Sequence, residues 1–382
     1  MNQRSTVTNE EVEAFRPHLQ RFLTKELAPQ AEEWRRRRSV DREVWPLLGR
    51  FGMLLPSIPE KYGGLGKSFA FDAAIIEDVE KIVPELNAGI IGHNAIVAHY
   101  ILRYAAEPLK KQWLPKMAAG ELIGAIAMTE PGAGSDLRAM GMRAKDRDGK
   151  FVLNGQKTFI TNGHIANLVV VAAKADRSDD PNSLSLFVVE TERCEGFKRG
   201  RNLKKMGLHA SGASELFFED AVIEADCLLG ERTGLGLQQM MAQLPQERLA
   251  LSVAAVAAME HAVEITVKYA KDRVVFGRPV LDFQANGFSL AEAKTKACIA
   301  RVFIDWCVDR LVAGELDTVT ASMAKWWSTD TQMNVIDACL QLHGGYGYMD
   351  EYDISRMFTD ARAQTILGGT NEIMKHVIAR SL

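Results

Sequence analysis

Apolar residues recur at three- and four-residue steps from Asn9 to about Gly120, as in Val12, Phe15, Leu19 and Phe22. That spacing lines one stripe of a helix against a core. The first third of the chain is therefore expected to be helical. It breaks at Pro56-Ser57-Ile58-Pro59 and at Tyr62-Gly63-Gly64-Leu65-Gly66, where proline and glycine deny a continuing helix. Between about Glu121 and Gly230 the period falls to two, in Phe151-Val152-Leu153, Leu168 to Val171, Leu184 to Val189 and Leu216-Phe217-Phe218, with Gly, Asn, Asp and Pro between the runs. Several short strands without long helices between them predict an antiparallel barrel or sandwich and no βαβ unit. After Leu237 the helical period returns in Arg248 to Lys271, Gln284 to Val312 and Thr318 to Leu342, followed by Asn371 to Arg380. Four such helices make a bundle. The expected fold is α+β and multidomain: an N-terminal all-α domain over 1–123, a middle antiparallel β-barrel or sandwich over 124–231, and a C-terminal four-helix bundle over 232–382. No internal repeat or low-complexity tract interrupts that order.

Length and charge narrow the chemistry. A chain of 382 residues accommodates about two or three domains and a sizeable core. Its net charge of −3 gives no bias toward nucleic acid or anionic membrane, so small-molecule chemistry is expected. The five cysteines, Cys194, Cys227, Cys298, Cys307 and Cys339, are odd in number and form no CxxC pair. Neither a zinc site nor a disulfide framework is indicated, and a reducing interior is expected. The eight histidines show no HxxxH or HExxH spacing, which predicts no metal. His343 and His209 have no partner at catalytic spacing, and no Ser-His-Asp arrangement is visible. Glu10, Glu11, Glu13 and Glu26 argue against a presequence. No apolar stretch of about 18 residues is free of charges, so no membrane span is expected and a cytoplasmic location is.

Three segments carry the candidate chemistry: Thr129 to Asp136 (TEPGAGSD), Asn154 to Gly163 (NGQKTFITNG) and Gln341 to Gly347 (QLHGGYG). Each sets glycines among hydroxyls and amides, which lets backbone approach a flat, polyanionic ligand. Together they point to a flavin nucleotide. Two look-alikes fall away. Gly66-Lys67-Ser68 lacks the earlier glycine of a phosphate loop, since Lys61 stands there, and Gly234-Leu235-Gly236 has neither a third glycine nor a preceding strand. Arg35 to Arg38 read as a solvated helix end, with a CoA-phosphate or partner contact as the alternative.

With Asp272 to Gly277 (DRVVFG) and Gly369-Thr370-Asn371-Glu372 further along, the chain resembles the acyl-CoA dehydrogenase family over essentially its whole length. The resemblance implies FAD, an acyl-CoA substrate, electron-transfer flavoprotein as acceptor, and a homotetramer, a dimer of dimers in which pairs of subunits share each flavin site. Ile126, Met128, Thr129, Gly134 and Ser135 would line the flavin, with Ser135 near its pyrophosphate or the CoA portion of the substrate. Phe159, Ile160 and Thr161 would lie against the isoalloxazine; many relatives carry tryptophan where this chain has Phe159. Arg273, Phe276, Gln284, Gln341, Gly344 and Gly345 would reach the FAD of a neighbouring subunit. Thr370 and Glu372 would close the site from the last helix.

The family's reaction takes an α-proton and a β-hydride from an acyl thioester. In most relatives the glutamate that collects the proton lies two residues before the threonine of the Gly-Thr pair; here that position is Gly368. A minority branch, including the isovaleryl and long-chain enzymes, supplies the carboxylate from the first helix of the C-terminal bundle. This chain has Leu244-Pro245-Gln246-Glu247-Arg248-Leu249 there, most like the long-chain members, and Glu247 is the candidate base. Proline followed by a carboxylate is also ordinary helix-start chemistry, so a capping role is the alternative. Against the loss of a side chain at 368, a carboxylate from this helix would occupy the freed space. Gly368 and Gly369 would meet the thioester, the former through its backbone N–H. Arg248 would lie beside CoA or orient Glu247, its alternative being a solvated helix face. Glu130 and Asp136 are read as holding the turn of their loop. Two rivals remain: an oxygen-using enzyme of the same fold (acyl-CoA oxidase, nitroalkane oxidase or monooxygenase), and a non-catalytic FAD-binding scaffold.

Overall fold

The structure is a computed structural model describing residues 10–175 and 183–382. The first domain packs α1 (Glu10–Phe22), α2 (Ala31–Arg37), α3 (Val44–Phe51), α4 (Phe69–Ile82), α5 (Asn87–Ile91), α6 (Ala98–Tyr104) and α7 (Glu107–Ala118). A π-helical segment, Gly92–Val97, joins α5 to α6. The expected breaks hold: Gly63 and Gly66 adopt φ of 83° and 63°, the left-handed region open to glycine. Helix α4 has no solvated face over most of its length, because it is wedged between the core of the first two domains and that of the bundle.

Among the described residues the middle domain forms one seven-stranded sheet: β1 (Gly124–Ala127), β2 (Arg143–Arg147), β3 (Lys150–Thr161), β4 (Leu168–Ala175), β5 (Leu184–Glu190), β6 (Phe197–Asn202) and β7 (Ala213–Glu224). The order is β1-β4-β2-β3-β7-β6, with β5 on the other side of β4. The sheet is mixed rather than antiparallel throughout, since β4 pairs in parallel with β1 and β2. Tight hairpins force antiparallel pairing, whereas the long glycine-rich loop between β1 and β2 lets both strands run along β4 in its own direction. Strand β4, buried on both faces, has the continuous apolar run typical of a parallel neighbourhood. Strand β6, sequence FKRGRN, escapes the pattern because it is a charged, half-exposed edge.

The C-terminal domain departs from four equal helices. It has three long ones, α8 (Gly236–Asp272), α9 (Gln284–Val312) and α10 (Thr318–His343), and two short ones, α11 (Asp353–Gln364) and α12 (Asn371–Ala379). A two-residue hairpin, β8 (Val274–Val275) with β9 (Arg278–Pro279), links α8 to α9. Helix α8 begins 12 residues before the expected Arg248 and runs through Pro245. Proline removes one helical bond and crowds the carbonyl four residues before it. The carbonyl it leaves belongs to Met241, an exposed residue, while Gln246 on the next turn is anchored by Nε2 to Ala95 O at 2.8 Å. By length and composition α8 could cross a membrane, but its apolar window is 67% buried within the protein.

Ion pairs join the first and last domains. Arg301 on α9 meets Glu77 on α4 and Glu260 on α8, and Lys81 on α4 reaches Glu260 at 2.8 Å. The sheet is tied to the first domain by Asn162, whose Nδ2 donates to Gly89 O at 3.0 Å and Gly124 O at 3.2 Å.

Candidate active site

Glu247 lies about three turns into α8, not in an opening turn, so it caps nothing. It is buried, and its Oε1 accepts the Tyr100 hydroxyl of α6 at 2.9 Å. Burial pushes its carboxyl up to about 7, against the opposing pulls of the Tyr100 bond and the Arg248 charge. Arg248 is 4% exposed, which corrects the solvated-face alternative: α8 is the central helix of the molecule and has little solvated face at this level. Its Nη1 donates to Ser322 Oγ at 3.1 Å, while its Nε has no partner among the described residues.

Gly368 and Gly369 adopt φ of 64° and 89°, two consecutive left-handed residues that only glycine takes without strain. A Cβ on Gly368 would fall 2.7 Å from Leu251 Cδ1, and Leu251 follows Glu247 by one helical turn. The space beside position 368 is thus filled by Leu251, on the stretch of α8 that carries Glu247, rather than by the carboxyl itself. The turn is pinned by Lys325 of α10, fully buried, whose Nζ donates to Gly369 O at 2.8 Å and Asn371 Oδ1 at 2.9 Å. Burial and the Arg248 charge push that ammonium down to about 7. Thr370 caps α12, and Glu372 sits exposed in its first turn, its carboxyl held below the usual range by its own N–H and the Thr370 hydroxyl.

On the β domain the two glycine-rich loops meet: Thr158 N–H donates to Thr129 O at 2.9 Å, and the buried Lys157 ammonium bonds Met128 O at 3.0 Å and Glu130 Oε1 at 2.8 Å. The Glu130 carboxylate also accepts the N–H groups of Gly141 and Met142, and Asp136 accepts that of Arg138. Both acids hold their loop. The register of β3 on β7 shifts between Lys157 and Ile160. Phe159 sits in that bulge with φ of 60° and 65% of its surface exposed, re-aimed out of the sheet. Ile160 beside it is buried, Ile126, Met128, Thr129 and Thr161 are half-buried, and Gly134 and Ser135 are exposed.

A separate cavity of about 500 Å³ is lined by Arg273, Asn286, Gln341 to Tyr346 and neighbouring residues, all of the C-terminal domain. The Arg273 guanidinium lies over the Tyr346 ring at 5.8 Å and has no carboxylate partner among the described residues. Phe276 at the hairpin tip is 96% exposed, and Gln284 opens α9. Around Gly344, Gly345, Gly132 and Gly134 nothing stands where a Cβ would project. An unpaired guanidinium beside bare glycine backbone fits a phosphate-bearing ligand such as FAD. The structure therefore gathers the predicted residues into three groups, one around Glu247, one on the β domain and one around Arg273.

Three family models match in series: the acyl-CoA dehydrogenase N-terminal domain over residues 9–121, the middle domain over 125–221 and the C-terminal domain over 234–382. The chain belongs to the acyl-CoA dehydrogenase family. It is 42% identical over 378 residues to the long-chain specific acyl-CoA dehydrogenase of Sus scrofa mitochondria, covering 98% of this chain and 87% of that protein. An acyl-CoA dehydrogenase of Bacillus subtilis is 34% identical over 376 residues, 98% of each. The crystal structure of an acyl-CoA dehydrogenase from Geobacillus kaustophilus superposes with a TM-score of 0.96 at 45% identity, covering 99% of both chains.

As a member of this family the chain is a flavoprotein oxidoreductase that dehydrogenates acyl-CoA. Several features of this site carried no signal in the sequence. Tyr100 looks like any aromatic on a buried helix face, Lys325 like a lysine of a solvated face, and Leu251 like core. The Arg35 to Arg38 run divides: Arg36 and Arg37 are surface residues paired with Glu33 and Asp41, whereas Arg35 engages the buried Glu85. Gly66-Lys67-Ser68 merely opens α4, and Lys67 pairs with Glu11 at 2.9 Å.

Proposed function

We propose an FAD-dependent dehydrogenase of straight medium-to-long acyl-CoA thioesters, in which Glu247 takes the α-proton and the electrons leave to electron-transfer flavoprotein. The observation that carries this reading is a buried carboxylate, raised to about 7, on the helix stretch that packs against a glycine where most relatives have their base. A carboxylate with that affinity is about half ionised at neutral pH and can both take and release a proton, as a general base must. The substrate length rests on the 42% identity to a long-chain specific relative.

The residues divide the work. Ile126, Met128, Thr129, Gly134, Ser135, Phe159, Ile160 and Thr161 would hold the flavin from the β domain, and Thr370 and Glu372 would border it from α12. Arg273, Phe276, Gln284, Gln341, Gly344 and Gly345 would hold the FAD of a neighbouring subunit in a homotetramer. Exposed apolar residues on α9, Ile299, Val302 and Trp306, supply surface for such an assembly. When bound, FAD supplies the two-electron acceptor. Removing the α-proton builds negative charge on the thioester oxygen. The Gly368 N–H, on a turn fixed by Lys325, is the donor that would meet it; one such donor is worth about 3 kcal/mol of barrier. Ser135, Gly369 and Arg248 would contact the substrate, the buried guanidinium countering developing charge. Five free thiols suit a reducing compartment, and we read the protein as cytoplasmic.

The test is Glu247→Gln in the FAD-loaded protein: FAD is retained, while reduction of the flavin by a straight-chain acyl-CoA is nearly abolished. Unchanged turnover in that variant overturns the assignment. Screening acyl-CoAs by length and branching then checks the substrate class.

A further inference from the structure

One buried polar contact at Glu247 has no role in the reaction as so far described. The Tyr100 hydroxyl, on a side chain with no exposed surface, donates to Glu247 Oε1 at 2.9 Å. Tyr100 lies on α6, in a different domain from Glu247, so their meeting depends on the register of α6 against α8. That register is built. The π-helical segment leading into α6 presents Ala95 O to α8, where it accepts Gln246 Nε2 at 2.8 Å and Gln243 Nε2 at 3.4 Å. Two side chains thus lock the approach one turn before Tyr100. The ring also packs beside Tyr104, with centroids 6.4 Å apart, so neither helix rotation nor a rotamer change frees the hydroxyl easily.

We propose that Tyr100 is a positioning residue for proton abstraction: its hydroxyl fixes the Glu247 carboxylate in one rotamer and favours the charged form that accepts a proton. The inference rests on Glu247 being the base. Packing alone would be served as well by phenylalanine; what tyrosine adds is a single donor aimed at the one carboxylate on this stretch of α8. The other groups near the pair are few. Arg248 faces Glu247 from its own helix, and Lys325 of α10 bears on Arg248 rather than on the carboxylate. Arg103 and Tyr104 act on Tyr100 from α6. His99, next along α6, is engaged with Ser57 Oγ at 3.1 Å. Of these, only Tyr100 hydrogen-bonds to the carboxylate. A donor to the ionised form lowers the pH at which a buried carboxyl becomes a base, opposing the burial that raises it.

The experiment is rapid reduction of the FAD-loaded enzyme by dodecanoyl-CoA across pH, for wild type, Tyr100→Phe, Tyr104→Phe and the enzyme with 3-fluorotyrosine at position 100. In Tyr100→Phe the acidic limb of the rate profile should move upward by about one to two pH units, the size expected for losing a bond to a charged acceptor. Its plateau at high pH should stay within a few-fold of wild type. Tyr104→Phe should leave the limb in place. Fluorotyrosine keeps the shape and donates more strongly, so the limb should move downward; this arm stands even if Tyr100→Phe folds poorly. Profiles of Tyr100→Phe and the fluorotyrosine enzyme that overlay wild type refute the proposal, leaving the base assignment intact so long as Glu247→Gln is inactive. An active Glu247→Gln refutes the assignment instead.

Discussion

Glu247 should be a stability liability as well as the base, and the two effects separate with pH. An unfolded glutamate titrates near 4.5, whereas burial raises this carboxyl to about 7 in the folded chain. The folded state therefore prefers the protonated form. Below about pH 4.5 both states hold the proton and Glu247 costs nothing; as pH rises toward about 7 the unfolded chain gives up its proton first, and stability falls. Over the 2.5 units between 4.5 and 7 the loss is on the order of 3 kcal/mol, at about 1.4 kcal/mol per unit. Glutamine has nearly the same shape, still meets the Tyr100 hydroxyl, and does not titrate. Glu247→Gln should thus match wild type in acid and exceed it by up to about 3 kcal/mol at pH near 8, while general-base catalysis falls by about 10²- to 10⁴-fold. The assay is urea unfolding of both proteins at saturating FAD across this pH range, read as the difference in midpoint multiplied by a common slope. Because only one carboxyl differs, every other titration cancels. Parallel stability curves, with no gap opening above neutral pH, would refute the claim that this carboxyl is buried and reluctant to ionise.

Gly368→Ala should destabilise by about 1–2 kcal/mol in the same urea assay, since an L-residue must take φ of 64° and its Cβ must displace Leu251 Cδ1 from 2.7 Å; an unchanged midpoint would mean that the turn is not left-handed. Arg273→Ala should raise the FAD dissociation constant by about 10- to 100-fold, measured by flavin fluorescence on titration, if its unpaired guanidinium meets a phosphate. Phe159→Gly should raise the unfolding free energy by at most about 1 kcal/mol by relieving the left-handed bulge, yet slow flavin reduction in stopped flow. A fall in stability together with normal reduction would contradict that reading of the bulge.

Much of the architecture was legible from residue order. Helical spacing in Val12 to Phe22, alternation in Leu184 to Val189 and the long runs after Leu237 place three domains because burial periodicity is a local property of the chain. Parallel pairing of β1 and β2 with β4 was not legible. The apolar run of β4 marks a strand buried on both faces but not which neighbours run parallel to it; the connecting loop decides that. Pro245 misled for a related reason. Locally it reads as a helix start, but α8 continues through it because packing on both sides outweighs one missing bond. Helix α11 was hidden in a stretch where polar residues dominate and only Ile354, Ala361 and Gln364 are buried.

The candidate site divides along the same line. Sequence alone determined the residue types: glycine-rich loops, an absent side chain at 368, a glutamate on the first bundle helix, an arginine just after it at position 273. These are choices of chemistry, and a chain carries them in order. Tertiary structure alone decided which of them share a dielectric. It put Glu247 out of water, set the Tyr100 hydroxyl against it from another domain, packed Leu251 into the space beside Gly368 and pinned that turn with Lys325. A carboxylate's proton affinity depends on desolvation and on partners within a few ångströms, and those partners come from helices more than a hundred residues apart.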